Sequence, residues 1–117
     1  MTRFLLAALL AFAAPAHAQR VSKLTAAKLA QICGNPRGVG LCDAYIAGVA
    51  DALAGAKHYE AAAGGSDAGA TCIPDSVSTA TLRGTVGDYL RAHADMRDKP
   101  AAVPVVNALH AAYPCGH

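Results

Sequence analysis

Four cysteines limit the ways in which this chain can fold. They are Cys33, Cys42, Cys72 and Cys115. An even number of cysteines in an oxidising compartment predicts two disulfides, and four cysteines allow three pairings. A zinc site needs closely spaced ligands, and the sequence contains neither a CxxC nor an HxxxH motif. We therefore predict no metal site. We also predict no catalytic cysteine, because export would oxidise an unprotected thiol that has three potential partners.

The N-terminal segment predicts export. Residues 1–18 contain an early basic residue, Arg3, then an apolar run over 4–14, and end in the sequence AHA. This pattern is typical of a secretory signal peptide cleaved after Ala18, and the run is too short to span a bilayer. A buried N-terminal helix is the alternative interpretation. We expect a soluble mature protein with no membrane contact after cleavage, because no other segment approaches the length of a membrane span.

The mature chain has the size of a single domain, 19–117, since removing 18 of the 117 residues leaves 99. Its nine lysines and arginines, ten in the whole sequence less Arg3, oppose eight acidic residues. This balance gives no electrostatic reason to expect nucleic acid or an anionic membrane as a partner. The composition is rich in alanine and lacks tryptophan, which favours helices.

Hydrophobic spacing predicts two helices in the first half of the mature chain. The first covers 24–33, with Thr25 as its N-cap. The second contains 42–53, where Gly48 and Ala52 are four residues apart, so we expect a neighbouring helix backbone to approach closely there. The apolar stripe of this second helix is Cys42, Ile46, Val49 and Leu53.

Two more helices are predicted in the second half, after a long loop over 61–70. The third helix begins after Ser78, which is a good N-cap. The fourth starts near Pro100, and Pro104 predicts a late start or a bend. The apolar face of the third helix is Leu82, Val86, Tyr89 and Leu90.

No segment is typical of a strand, so the predicted fold is all-α, a compact four-helix domain stapled by two disulfides. Short connections make consecutive helices antiparallel neighbours. The cysteines that end the first helix and begin the second would then meet, and so would those that flank the last two helices. We therefore predict the pairs Cys33–Cys42 and Cys72–Cys115.

Several motifs in order resemble the Rap/Tai family of small exported immunity proteins against amidase effectors of type VI secretion. They are CDAYIAGVADAL at 42–53, CIP at 72–74, YLRAH at 89–93 followed by RDKPA at 97–101, and the closing ALHAAYPC at 108–115. The similarity covers roughly 24–115. Two departures flank the same loop, since family members usually have proline where Ala94 stands and lack the internal proline of the last helix.

The resemblance implies a helical homodimer in the periplasm, with the loop between the last two helices approaching the groove of the amidase. The candidate partner-binding residues are His93, Asp95, Met96, Arg97, Asp98 and Lys99. A different interpretation stands beside this one. Charged residues in an exposed loop are usually only solvated, and His93 and Arg97 could instead bind the ends of the adjacent helices.

An inhibitor of an enzyme needs shape and a few anchors, with no catalytic residues of its own. The sequence has no nucleophile–base constellation, so we predict no enzymatic activity and no cofactor. The leading interpretation is an exported immunity-type protein that occludes the active site of a peptidoglycan amidase effector. The alternative is a periplasmic helical binding or stress/chaperone-like protein of the same fold without a toxin partner.

Overall fold

The computed structural model describes residues 22–65 and 70–116, and within them the backbone forms four helices and two short 3-10 turns, with no strand. The prediction of an all-α fold is confirmed. The predicted signal peptide, 1–18, lies outside the described residues. The helices are α1 (Ala26–Gly34), α2 (Val39–Ala62), α3 (Thr79–Ala92) and α4 (Ala102–Ala112), and the 3-10 turns are Pro36–Gly38 and Ala94–Met96.

Side-chain caps determine where α1 and α3 begin. The Oγ1 atom of Thr25 accepts a hydrogen bond from the Lys28 N–H at 3.2 Å. The Oγ atom of Ser78 accepts one from the Thr81 N–H at 3.1 Å. Both residues were predicted as N-caps, and both predictions are confirmed. Each such cap stabilises its helix by about 1 kcal/mol, because it satisfies a backbone donor that has no partner within the helix.

Helix α2 is longer than predicted at both ends. It begins at Val39, directly after the 3-10 turn and three residues before the predicted stretch 42–53. It continues to Ala62, which is two residues into the predicted loop over 61–70. The alanines at the end of α2 are good helix formers, whereas the glycines that follow them are not.

The length of α2 also corrects the expectation that no further segment could span a membrane. The stretch Pro36–Ala62 has 27 residues and is long and apolar enough to cross a bilayer by length and composition. Only 11% of its most apolar window is buried. The first half of α2 nevertheless belongs to the globule, because Cys42 and Ile46 are fully buried in the core.

The core is formed where the four helices meet. On α2 the predicted stripe is confirmed at Cys42 and Ile46, whereas Val49 and Leu53 are only partly buried and pack against the edge of the core. The buried residues of the core are Leu29, Cys42, Ile46, Leu82, Val86, Ala101, Val105, Ala108 and Leu109.

Several glycines within the helices lie in open space, among them Gly48 and Gly84. Gly48 is exposed, and a Cβ added there would meet no atom within 4 Å. The prediction that a neighbouring helix of this chain approaches closely at Gly48 and Ala52 is therefore wrong. Gly84 on α3 is equally open. Glycine in a helix interior costs about 1 kcal/mol relative to alanine, and no contact with a described residue offsets that cost at either position.

Pro104 lies in the first turn of α4, where a backbone N–H has no acceptor within the helix. Its ring therefore removes no helical hydrogen bond. The helix begins at Ala102, two residues after Pro100, so the predicted late start is confirmed. Pro104 is also fully buried and contributes to the core.

Two disulfides join the helix ends. The Cα atoms of Cys33 and Cys42 are 5.0 Å apart, and those of Cys72 and Cys115 are 4.9 Å apart. Both predicted pairs are confirmed. The turn between α1 and α2 also requires Gly38, since a Cβ there would lie 2.2 Å from a backbone carbonyl oxygen of α1.

Candidate functional site

The six candidate residues lie on one connection, the α3–α4 loop, which we define as residues 93–100. It starts at His93, the C-cap of α3, and continues with the 3-10 turn Ala94–Met96. Pro100 closes it before α4 begins. The structure therefore brings all six residues together, as a loop between two helices must.

The backbone of the α3–α4 loop is bonded to the start of α1. The Ala26 N–H donates to the carbonyl oxygen of Lys99 at 2.9 Å, and the Ala27 N–H donates to that of Arg97 at 3.0 Å. The first N–H groups of a helix have no acceptor within the helix, so these two bonds satisfy α1 and hold the loop at the same time. The loop is consequently anchored at its middle as well as at its ends.

His93 and Met96 pack against α3. The ring of His93 stacks on that of Tyr89, with centroids 3.8 Å apart and an angle of 13° between the planes. The Nδ1 atom of His93 lies 2.8 Å from the Tyr89 carbonyl oxygen, so in this arrangement it carries the proton and donates. The Sδ atom of Met96 lies 4.0 Å from the Tyr89 hydroxyl oxygen. These contacts give both residues a structural role in holding the loop.

The remaining four candidate residues are exposed and charged: Asp95, Arg97, Asp98 and Lys99. The ion pairs among the described residues are Arg83–Asp43 and Arg91–Asp88, and none of them includes a residue of the loop. The loop thus presents two carboxylates, one guanidinium and one ammonium group to the solvent on a backbone that is held in place.

A groove that sequence analysis did not predict adjoins the loop. It lies between α1 and α3, has a volume of about 750 Å³, and is hereafter the α1–α3 groove. Arg83, Arg91, His93 and Arg97 line it together with small residues of both helices. The sequence does place Arg83 and Arg91 on one face of α3, eight residues apart. It gives no sign, however, that α1 packs beside that face.

The part of the chain that the structure describes contains no group of three or more histidine, cysteine or acidic residues placed to hold a metal ion. Its four cysteines are all in disulfides. The surfaces that stand out are therefore the anchored charged loop and the adjacent groove. Together with the fold they define a class of small, disulfide-bonded helical proteins.

Comparison with known families identifies the kind of protein. The family model of Rap1a immunity proteins matches residues 25–115, which include all four helices, both disulfides and the α3–α4 loop. The chain belongs to the family of Rap1a immunity proteins. The resemblance that the sequence motifs indicate is thereby confirmed. No curated protein and no solved structure matches the chain.

Proposed function

We propose that this protein is an exported immunity protein that binds a peptidoglycan amidase effector of type VI secretion and inhibits it by occluding its active site. The α3–α4 loop is the part that enters the site of the effector. Family membership supports an immunity role. The target enzyme and the mode of inhibition are our proposal.

The observation that carries the proposal is the anchoring of the loop by α1. Binding a flexible loop loses conformational entropy, whereas a loop that is already held in its bound shape loses less. Here two hydrogen bonds from Ala26 and Ala27 fix the loop, and its charged side chains are free to contact a partner. A few well-placed side chains supply most of the binding energy in protein interfaces, so four exposed charged groups on a rigid backbone are sufficient anchors.

Export to the periplasm is part of the proposal. The N-terminal pattern of 1–18 supports it, and so do the two disulfides, because disulfides persist in oxidising compartments and are rare in the cytosol. Peptidoglycan lies in the periplasm, so an inhibitor of a peptidoglycan amidase has to be exported in order to meet its target.

The proposal also includes a homodimer, formed through the outer face of α2. This face carries two large apolar side chains in solvent, since Leu41 is 64% and Tyr59 is 74% exposed. They are 18 residues apart, about five helical turns, and so lie on one side of the helix. Gly48 and Ala52 lie between them on the same exposed side. Small residues there would let a second copy approach closely.

The test of the proposed function uses the mature protein, 19–117, and a purified candidate amidase effector of type VI secretion. We expect the wild type to bind the effector and to abolish cleavage of purified peptidoglycan. The double variant Asp95→Ala/Asp98→Ala should bind about tenfold more weakly or worse, because it removes both exposed carboxylates of the loop. Binding is measured by calorimetry and inhibition by release of amino groups.

The matched control is Asp75→Ala/Glu60→Ala, which removes two exposed carboxylates outside the loop and changes the net charge equally. It should bind like the wild type. Equal weakening by both double variants would assign the effect to net charge and contradict a role for the loop. Absence of any binding by the wild type would reject the amidase and favour a periplasmic helical binder without a toxin partner.

A further inference from the structure

The α1–α3 groove is open along a floor of small residues. Ala27 and Ala30 of α1 face Ala80 and Gly84 of α3 across it. Its volume of about 750 Å³ lies within the range of roughly 300–1,000 Å³ that is usual for ligand pockets. A Cβ added at Gly84 would enter this space and meet no atom within 4 Å. The groove is therefore a vacant channel in which the main chain of another molecule can lie close to α3.

The ionisable side chains that line the groove are all basic. Three arginines, Arg83, Arg91 and Arg97, line it with His93, and no aspartate or glutamate does. Two of these arginines form ion pairs with aspartates that do not line the groove. The third, Arg97, is in no ion pair among the described residues and is exposed at the end of the groove next to the loop.

We infer that the α1–α3 groove binds an acidic segment of the same effector that the α3–α4 loop contacts. This inference rests on the proposed function and names the partner chemistry for a second part of the surface. Arg97 belongs to both the loop and the groove, so a protein that covers the loop also reaches the mouth of the groove. A carboxylate of the segment pairs with the Arg97 guanidinium, which can bind it through two parallel hydrogen bonds.

The test fills the groove without changing its charge. Gly84→Leu places a branched side chain in the channel, where the first added carbon meets no neighbouring atom. We expect its affinity for the amidase effector to fall about tenfold or more, while its helical circular dichroism and its melting curve stay like those of the wild type. Gly84→Ala, which adds a single methyl group, should weaken binding less.

A second variant tests the charge. Arg97→Gln should also weaken binding about tenfold, and its affinity should depend less on salt than that of the wild type, because one charge pair is lost. Arg37→Gln is the matched control, since Arg37 is exposed and lies outside the groove. It should leave both the affinity and its salt dependence unchanged.

The outcomes separate this inference from the proposed function. If the wild type binds and a folded Gly84→Leu binds equally well, the groove is empty in the complex and the inference is wrong, while the proposed function stands. If the wild type does not bind the effector, both are wrong. If Gly84→Leu does not fold, the other two variants decide. The inference is wrong if both Gly84→Ala and Arg97→Gln bind the effector with the affinity of the wild type.

Discussion

Two residues of the same α2 stripe differ in how much they support the fold. Ile46 is fully buried, whereas Leu53 is only partly buried at the edge of the core. We expect Ile46→Ala to lower the free energy of unfolding by about 2–5 kcal/mol, as truncations of fully buried aliphatic side chains do. Leu53→Ala should cost less, because part of this side chain is already in solvent and the substitution removes less buried apolar area. Urea unfolding of both variants measures the difference.

Equal losses of unfolding free energy in the two variants would contradict this difference in burial. They would place the C-terminal half of α2 in the core. A loss below about 0.5 kcal/mol in Ile46→Ala would be typical of a surface position and would contradict the packing of α2 altogether. The wild type, unfolded in the same buffer with its disulfides intact, is the reference for both variants.

At the scale of residues, burial could be predicted from the sequence for apolar residues at helical spacing, but not for other buried residues. Cys42, Ile46, Leu82 and Val86 stand at helical spacing, and all four are buried. Ala101 and Ala108 are buried as well, but alanine occurs throughout this alanine-rich sequence and therefore carries no signal of burial. Buried Pro104 is a further case, because proline is ordinarily taken as a sign of a helix boundary.

At the scale of elements, the docking of the α3–α4 loop on α1 predicts an unusual pattern of amide exchange. First-turn amides normally exchange quickly, since they lack acceptors within the helix. Those of Ala26 and Ala27 donate to loop carbonyls, so we expect them to exchange slowly, like amides in the middle of a helix. Amide hydrogen exchange followed by NMR gives the rate at each residue.

The start of α3 supplies the internal comparison. Its Ser78 cap satisfies the Thr81 N–H, and no backbone acceptor outside the helix is present among the described residues for the amides of Thr79 and Ala80. These two amides should exchange rapidly under the same conditions. Fast exchange at both ends alike would mean that the loop detaches readily from α1, and the argument for a preorganised binding loop would be lost.

The sequence predicts the elements of the site but not their assembly. The α3–α4 loop and its charged residues follow from two amphipathic helices with a polar connection. Its bonds to α1 join residues about seventy positions apart in the chain, as in the Ala27 N–H that donates to the Arg97 carbonyl oxygen at 3.0 Å. No local pattern encodes such a pairing. The α1–α3 groove was missed for the same reason, since it exists only once the two helices pack side by side.

At the scale of the whole molecule, two disulfides support a small core. Chain-entropy arguments give about 2.6 kcal/mol for a loop of the size closed by Cys33–Cys42 and about 4 kcal/mol for that closed by Cys72–Cys115. Together these values are comparable to the entire stability of a small domain, about 5–15 kcal/mol. A core that depends on such links can leave the outer face of α2 uncovered by the described residues, and this is the face that we propose for the homodimer.

The last prediction concerns that face. If a second copy covers it, Gly48→Leu should prevent the close approach and leave a folded monomer, because a Cβ at this position meets no atom of the described residues within 4 Å. Gly84→Leu makes the same substitution in equally open space on α3, in the lining of the α1–α3 groove, and should remain dimeric. Light scattering coupled to size exclusion gives the mass of each. A wild type with the mass of one chain would refute the dimer, and a dimeric Gly48→Leu would move the interface to another face.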